Sequence, residues 1–190
     1  MALPRILIFA GSARRQALSK RVARASLASV EAAGGRGTLI DLADFEMPLY
    51  HADLEAASGL PHAAKRLQAL IDEHAALLIA SPEYNGTITP LLLNTLDWCS
   101  RSDPQRATGS GLTIFADKPA ALVGSSPGAL GGLRALIHLR DLLGYLGMLV
   151  IPQQLTVARA HQAFDAHERL IDERQNALDA LASALVRIAA

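Results

Sequence analysis

The chain has one cysteine, Cys99, in 190 residues, so it can form neither an internal disulfide nor an all-cysteine metal site. Charge of either sign is not in excess: 18 Lys+Arg stand against 18 Asp+Glu. That balance gives no sign of the strong basic excess usual in a nucleic-acid binder or of the acidic surface of a carrier docking on basic partners. Aromatic residues make up only 4%. No charge-free apolar run reaches the length of a membrane span. The opening MALPRILIFAG lacks the leading basic region of a secretory signal. Six histidines are present, but His161 and His167 lie six apart, off the i,i+4 spacing of a helical metal pair. The expectation is a soluble cytoplasmic protein with no metal, membrane or nucleic-acid partner.

What is present is apolar. Hydrophobic residues make up 51% and mean hydropathy is +0.23, which supports a core and one domain over residues 1–190. Five short apolar runs read as strands covered on both faces: Arg5–Ala10, Gly37–Leu42, Ala75–Ser81, Ala120–Ser125 and Gly147–Pro152. Helical patterns separate them at Leu18–Ala33, Leu60–Glu73, Pro90–Ser100 and Leu130–Leu143. A last one extends from Asp165 to Ala189, with Leu170, Ile171, Leu178, Leu181, Leu185 and Ile188 on its apolar stripe. Thr89 and Pro90 form an N-cap and N1 pair, and Gly144 is expected to stop the fourth helix. Strand–helix alternation of this kind predicts a doubly wound α/β fold, a parallel sheet with helices on both faces. The irregular Arg101–Pro119 is expected to be a flap, an interface loop or a plain surface loop.

Ligands of such sheets bind beyond the carboxyl ends of the strands. Three loops lie there. In GSARRQALS, Gly11 relieves a tight turn, while Ser12, Arg14 and Ser19 bring hydroxyls and a guanidinium to a helix start. The loop is neither GxGxxG nor a Walker loop. A phosphate cradle and an ordinary basic helix start both fit it, and Arg15 and Lys20 read as solvated charges.

The segment GSSPG, Gly124–Gly128, matches the G-x-S-x-G elbow of hydrolases. The residue after its serine is Pro127, which has no N–H for an oxyanion, so Ser126 is not read as a nucleophile. Gly128, Gly131 and Gly132 remove side chains where a flat ligand or a second subunit could approach, or simply turn the chain. The third loop is SPEYNGTITP, in which Pro82 fixes the strand exit and Gly86 permits a sharp turn. Cys99 reads as buried filler.

Taken together, the loops resemble the NADPH-dependent FMN reductases, a flavodoxin-like family. Gly11, Ser12, Arg14 and Ser19 are similar to its phosphate loop, with Ala17 where a serine is usual. Pro82–Gly86 is similar to its P-E-Y-N-G signature. Leu92, Asn94, Asp97, Trp98, Ser100 and Arg101 resemble its following helix, with Leu93 where lysine is frequent. Ser125–Gly132 resembles its glycine-rich segment.

The resemblance implies a five-stranded sheet of order 2-1-3-4-5, FMN as cofactor and NADPH or NADH as co-substrate. It implies ping-pong hydride transfer from nicotinamide to flavin N5, then onward to a quinone, azo compound, metal oxyanion or free flavin. It also implies a homodimer, sometimes a tetramer, with the last helix and the helix of Trp98 as contacts; a core role for Trp98 fits equally. FMN-binding residues would be Gly11, Ser12, Arg14, Ser19, Pro82, Glu83, Tyr84, Asn85, Gly86, Ser125 and Gly128. Backbone groups of Glu83–Asn85 would meet the ring edge and Tyr84 would wall it. Glu83 would bind a backbone N–H or a neighbouring chain. No side chain is expected as an essential acid, since the flavin carries the redox chemistry. Arg101, Arg106 and Lys118 are candidates for a nucleotide 2′-phosphate. Two other readings of the same fold are an electron carrier without NAD(P)H oxidation and a flavin-free regulatory protein.

Overall fold

In a computed structural model describing residues 2–104 and 110–190, five strands form one parallel sheet. They are β1 (Arg5–Ala10), β2 (Arg36–Ile40), β3 (Ala76–Pro82), β4 (Pro119–Ser125) and β5 (Leu149–Val157), in the order β2-β1-β3-β4-β5. The central strands are apolar throughout because both their faces are covered. Ile6, Ile8 and Ala10 face one layer; Leu7 and Phe9 face the other.

The first layer holds α1 (Leu18–Ala32) and α6 (Glu173–Ala189). The second holds α3 (His62–Glu73), α4 (Pro90–Cys99) and α5 (Leu133–Tyr145). A short α2 (Ala52–Ser58), which the apolar pattern does not announce, lies outside the main core and has no buried residue. Its last turn ends at Gly59 with φ 67°, and α3 begins after Pro61.

Three expectations need correction. The last helix begins at Glu173, not Asp165. The Asp165 carboxylate accepts the N–H groups of His167 and Arg169, and Phe164 bridges to Leu170 instead. Local side-chain bonds of this kind compete with helix. Leu170, Leu178, Leu181 and Leu185 are buried as the stripe predicts, whereas Ile188 is exposed.

Next, β5 continues past Pro152 to Val157. It is an edge strand with a register irregularity opposite Ala120/Leu122, where a proline is tolerated. Finally, α5 runs through Gly144 to Tyr145. In the irregular stretch, Ile114 and Phe115 are buried in the second layer just before β4. That part lies at the amino edge of the sheet, away from the ligand loops. Among the described residues no helix is long and apolar enough to cross a membrane.

Candidate active site

The loops after β1, β3 and β4 enclose a cleft of about 110 Å³ at the carboxyl edge of the sheet. Ser12, Arg14, Ser19, Pro82, Glu83, Tyr84 and Ser125 line it, as the sequence leads one to expect. Gly11, Asn85, Gly86 and Gly128 do not line it; they shape the loops. Ala17, Leu18, Ser126 and Pro127 complete the wall and were not foreseen as ligand contacts.

The β1 loop is fixed from below. Gly11 N–H donates to Ala80 O at 2.9 Å, and its carbonyl accepts the Thr89 hydroxyl at 2.7 Å. A Cβ at Gly11 would stand 3.1 Å from Leu92 Cδ2, so glycine lets the loop rest on α4. Ser12 Oγ accepts the Arg14 N–H at 3.3 Å. Lys20 is not a solvated charge. It is buried, and its Nζ donates to Asp41 Oδ2 at 2.6 Å and to Ala13 O at 3.3 Å.

Three features suit this corner to a phosphate. Helix α1 starts at Ala17 with no side-chain cap and no acid in its first turn. Its first N–H groups therefore point out of the helix with partial positive charge. Arg14 adds a guanidinium. The third feature is the most telling. Ser19 and Ser125 line the cleft, and their buried hydroxyls have no hydrogen-bond partner among the described residues. Buried hydroxyls are rarely left so unless something else satisfies them. A phosphate ester with hydroxyl-bearing neighbours, as in FMN, fits this donor set.

The β3 loop is a two-residue hairpin. Tyr84 and Thr87 exchange both backbone hydrogen bonds at 3.0 Å, with Asn85 at φ 51° and Gly86 at φ 80°. Two positive φ values define the type I′ turn that Asn-Gly favours. Tyr84 is half exposed at the rim.

Glu83 is spoken for within the same chain. Its carboxylate accepts the N–H groups of Arg134 (3.1 Å) and Ala135 (3.3 Å), capping α5, and pairs with the Arg134 guanidinium, with Nε at 2.8 Å. His138 of α5 adds a 2.7 Å contact to the Thr87 hydroxyl. The hairpin is thus tied to α5 at both its ends. Burial pushes the Glu83 carboxyl up, but Arg134 and the Ala135 N–H outweigh it and hold it below its ordinary value.

A folded value below the unfolded one means this stabilisation is complete above the ordinary glutamate range. It is lost as pH falls through the folded value. Glu83→Gln is expected to lower stability by about 1–2 kcal/mol at neutral pH. The gap to wild type should begin to close only below the ordinary glutamate value of about 4.3 and narrow further as pH falls toward the folded value. Thermal melts at pH 7 and pH 3 check this; a gap that persists undiminished in acid would refute it.

The glycines of the β4 loop serve the chain's own backbone. A Cβ on Gly131 would meet Ala158 N at 2.7 Å, and one on Gly132 would meet Ser125 N at 3.0 Å. Ser126 Oγ accepts the Gly128 N–H at 3.1 Å in a local turn, and no histidine hydrogen-bonds it among the described residues.

The α4 motif does not reach the cleft. Trp98 is fully buried and donates Nε1–H to Pro48 O at 2.7 Å. Asn94 donates to the same carbonyl at 3.0 Å and accepts Tyr50 N–H at 2.8 Å. Of the two roles open to Trp98, the core role is the one the fold shows. Arg101 is bound to Asp97 O and Ser100 Oγ at the far end of α4, with its guanidinium 5.2 Å from the Tyr50 ring centroid. Lys118 donates to His74 O at the amino edge of the sheet. Neither residue can meet a nucleotide in the cleft, and Arg106 lies outside the described residues. Cys99 is buried, and burial pushes its thiol up to about 12, so it is inert filler.

A 2-1-3-4-5 parallel sheet with its cleft at the switch in strand order defines a flavodoxin-like protein. Residues 4–162 match the NADPH-dependent FMN reductase family, and the chain belongs to it. An NAD(P)H-dependent FMN reductase of Pseudomonas aeruginosa is 38% identical over 144 residues, 75% of this chain and 73% of that one. A 2-hydroxy-1,4-benzoquinone reductase of Burkholderia sp is 32% identical over 174 residues, 91% of this chain and 88% of that one. The solved flavoenzyme NAD(P)H:(acceptor) oxidoreductase of Paracoccus denitrificans superposes with a TM-score of 0.78 at 24% identity, covering 98% of this chain and 97% of the other. The chain is accordingly an NAD(P)H-dependent FMN or quinone reductase, with FMN and NAD(P)H as cofactors.

Proposed function

We propose that this enzyme reduces quinones with NAD(P)H in two alternating half-reactions at the cleft between the β1, β3 and β4 loops. The observation that carries the reading is that Ser19 and Ser125 line the same small cleft while their buried hydroxyls have no hydrogen-bond partner among the described residues. FMN held there would supply two-electron chemistry between the nicotinamide and a second acceptor.

The chain's own residues bind and orient. Ser12, Arg14, Ser19, Ser125 and the α1 N–H groups hold the phosphate end. Pro82, Gly86 and the Glu83 anchor to α5 hold the hairpin, whose backbone at Glu83–Asn85 would meet the ring edge. Tyr84 walls the ring. No side chain is required as a proton donor, and a shallow site open to flat molecules suits quinones, azo compounds, oxyanions and free flavin in turn.

The cleft is smaller than the roughly 300–1,000 Å³ typical of ligand pockets. Part of the flavin would therefore lie across the open surface, and a second copy of the chain would complete the enclosure. Leu93 on α4 and Ile137 on α5 are exposed apolar residues, suited to a homodimer that pairs further into a tetramer. A single-domain cytoplasmic enzyme, working where NAD(P)H is replenished, goes with this reading.

Anaerobic mixing of the FMN-loaded protein with NADPH tests it. The flavin absorbance should bleach within seconds and return on adding a soluble benzoquinone. A flavin that stays oxidised for minutes would instead make the chain an electron carrier, and failure to take up FMN would leave the regulatory reading. The phosphate seat has its own test. Ser19→Ala and Ser125→Ala should each weaken FMN binding about tenfold by fluorescence titration. Neither should lower the melting temperature of the flavin-free protein, because neither hydroxyl has a partner to lose among the described residues. A drop in that melting temperature would show a structural role instead.

A further inference from the structure

The chain is neutral overall, yet residues 1–36 carry seven basic side chains and one acid, Glu31. Three of the seven gather beside the flavin cleft. Arg15, Gln16, Leu18, Arg21, Arg24 and Glu168 line a second concavity of about 390 Å³ on the outer flank of α1. Leu18 belongs to both walls, so the two hollows adjoin. Leu18, Arg21 and Arg24 follow one another at i, i+3 and i+6, which places them on one helix face.

The arginines do not have equal freedom. Arg21 is held in a bidentate pair with Glu168 (2.7 and 2.9 Å), its guanidinium 4.1 Å from the Phe164 ring centroid. Glu168 sits at φ 61°, a left-handed conformation that turns the Asp165–Asp172 loop onto α1. Arg15 and Arg24 flank this fixed pair, are exposed, and make no hydrogen bond or salt bridge among the described residues. The hollow therefore presents three guanidiniums against one carboxylate, an excess of two positive charges. A phosphate monoester carries about −1.5 to −2 near neutral pH, which matches that excess.

We propose that this hollow is the seat of the 2′-phosphate of NADPH, with Arg15 and Arg24 as the residues that distinguish NADPH from NADH. The inference rests on the reductase reading above, since it assumes that the nicotinamide reaches the flavin held at the adjoining cleft. Arg21 and Glu168 act as a rigid floor that keeps the loop in place, and Arg15 and Arg24 close on the phosphate from either side.

Two measurements test the subsite. Calorimetric titration of the FMN-loaded protein should show adenosine 2′,5′-bisphosphate binding at least tenfold tighter than 5′-AMP or inorganic phosphate. In the Arg15→Gln/Arg24→Gln variant that advantage should vanish. Steady-state kinetics of the same variant should show kcat/KM for NADPH down about tenfold or more, with the value for NADH within twofold of wild type.

The single variant Arg15→Gln lies before the helix and holds no partner, so it reports even if the double variant folds poorly. Equal binding of the bisphosphate and 5′-AMP by wild type, or equal loss of NADPH and NADH oxidation in the variants, overturns the proposal. Inorganic phosphate bound as tightly as the bisphosphate would also overturn it, in favour of a general anion seat. The titration reads the subsite even if wild type oxidises neither nucleotide, so failure of the reductase reading is seen separately.

Discussion

Gly131→Ala is expected to lower stability by about 2–5 kcal/mol and to loosen FMN with it. The residue lies at φ 60°, where a Cβ is disfavoured by roughly 1–2 kcal/mol. Space is the larger problem. The new Cβ would stand 2.7 Å from Ala158 N, 2.8 Å from Val157 C and 3.0 Å from Thr156 C. All three are backbone atoms of β5 and its exit, so no side chain can swing away. The carbonyl of Gly131 in turn lies 2.7 Å from where a Cβ on Gly124 would be. The loop is therefore sandwiched between β4 and the end of β5.

Pushing it outward displaces Ser125, at the end of β4, and Gly132, which caps α5 at φ 88°. Because Glu83 is bonded to the first N–H groups of α5, the β3 hairpin is disturbed as well. For a chain of this length the stability loss corresponds to a melting temperature lower by roughly 5–15 °C. Gly128→Ala is the control. Its nearest neighbour would be Ser126 Oγ at 3.5 Å, with no positive φ, so both readings should stay near wild type. A Gly131→Ala protein that melts and binds FMN like the Gly128→Ala protein would show that the loop is free to shift.

This glycine also shows what a sequence can and cannot announce. The cluster Gly128–Gly131–Gly132 signals close approach, but not of what. The approaching body is the chain's own β5 backbone, about 25 residues away in sequence, and nothing local marks it. Glu83 is similar: its partner Arg134 is 51 residues distant and looks like any exposed helix arginine. By contrast, the five strands and the cleft-lining Ser12, Arg14, Ser19 and Tyr84 were legible, because apolar runs and loop chemistry are local signals, whereas the strand order followed only from the family resemblance. The start of α6 was misplaced by eight residues, Asp165 against Glu173. There the apolar spacing of Leu170 and Ile171 continues the helical stripe, and only the Asp165 side chain and the Phe164–Leu170 bridge decide otherwise. Nor could spacing separate an arginine already paired, Arg21, from one left free, Arg24.

Trp98→Ala is expected to lower stability by about 3–5 kcal/mol, the range for truncating a buried aromatic. The indole is fully buried, packs with Leu60 and Ala64, and meets the Tyr50 ring edge-on at a centroid distance of 5.1 Å. Its N–H is one of two donors on Pro48 O; Asn94 supplies the other. Removing it leaves Asn94 as the remaining side-chain donor, among the described residues, to Pro48 O in the segment after β2. That segment matters for the cofactor, since Met47 and Pro48 share a hollow with Ala13 of the β1 loop. Loosening should reach the phosphate seat as weaker FMN binding and faster amide exchange at Tyr50. Trp98→Phe keeps most of the ring volume and loses only the hydrogen bond, so it should cost about 1–2 kcal/mol. The pair of variants separates packing from hydrogen bonding. It also separates both from subunit contact. If Trp98→Phe left melting and Tyr50 exchange unchanged but split an oligomer on a sizing column, the side chain would be acting across an interface rather than within one core.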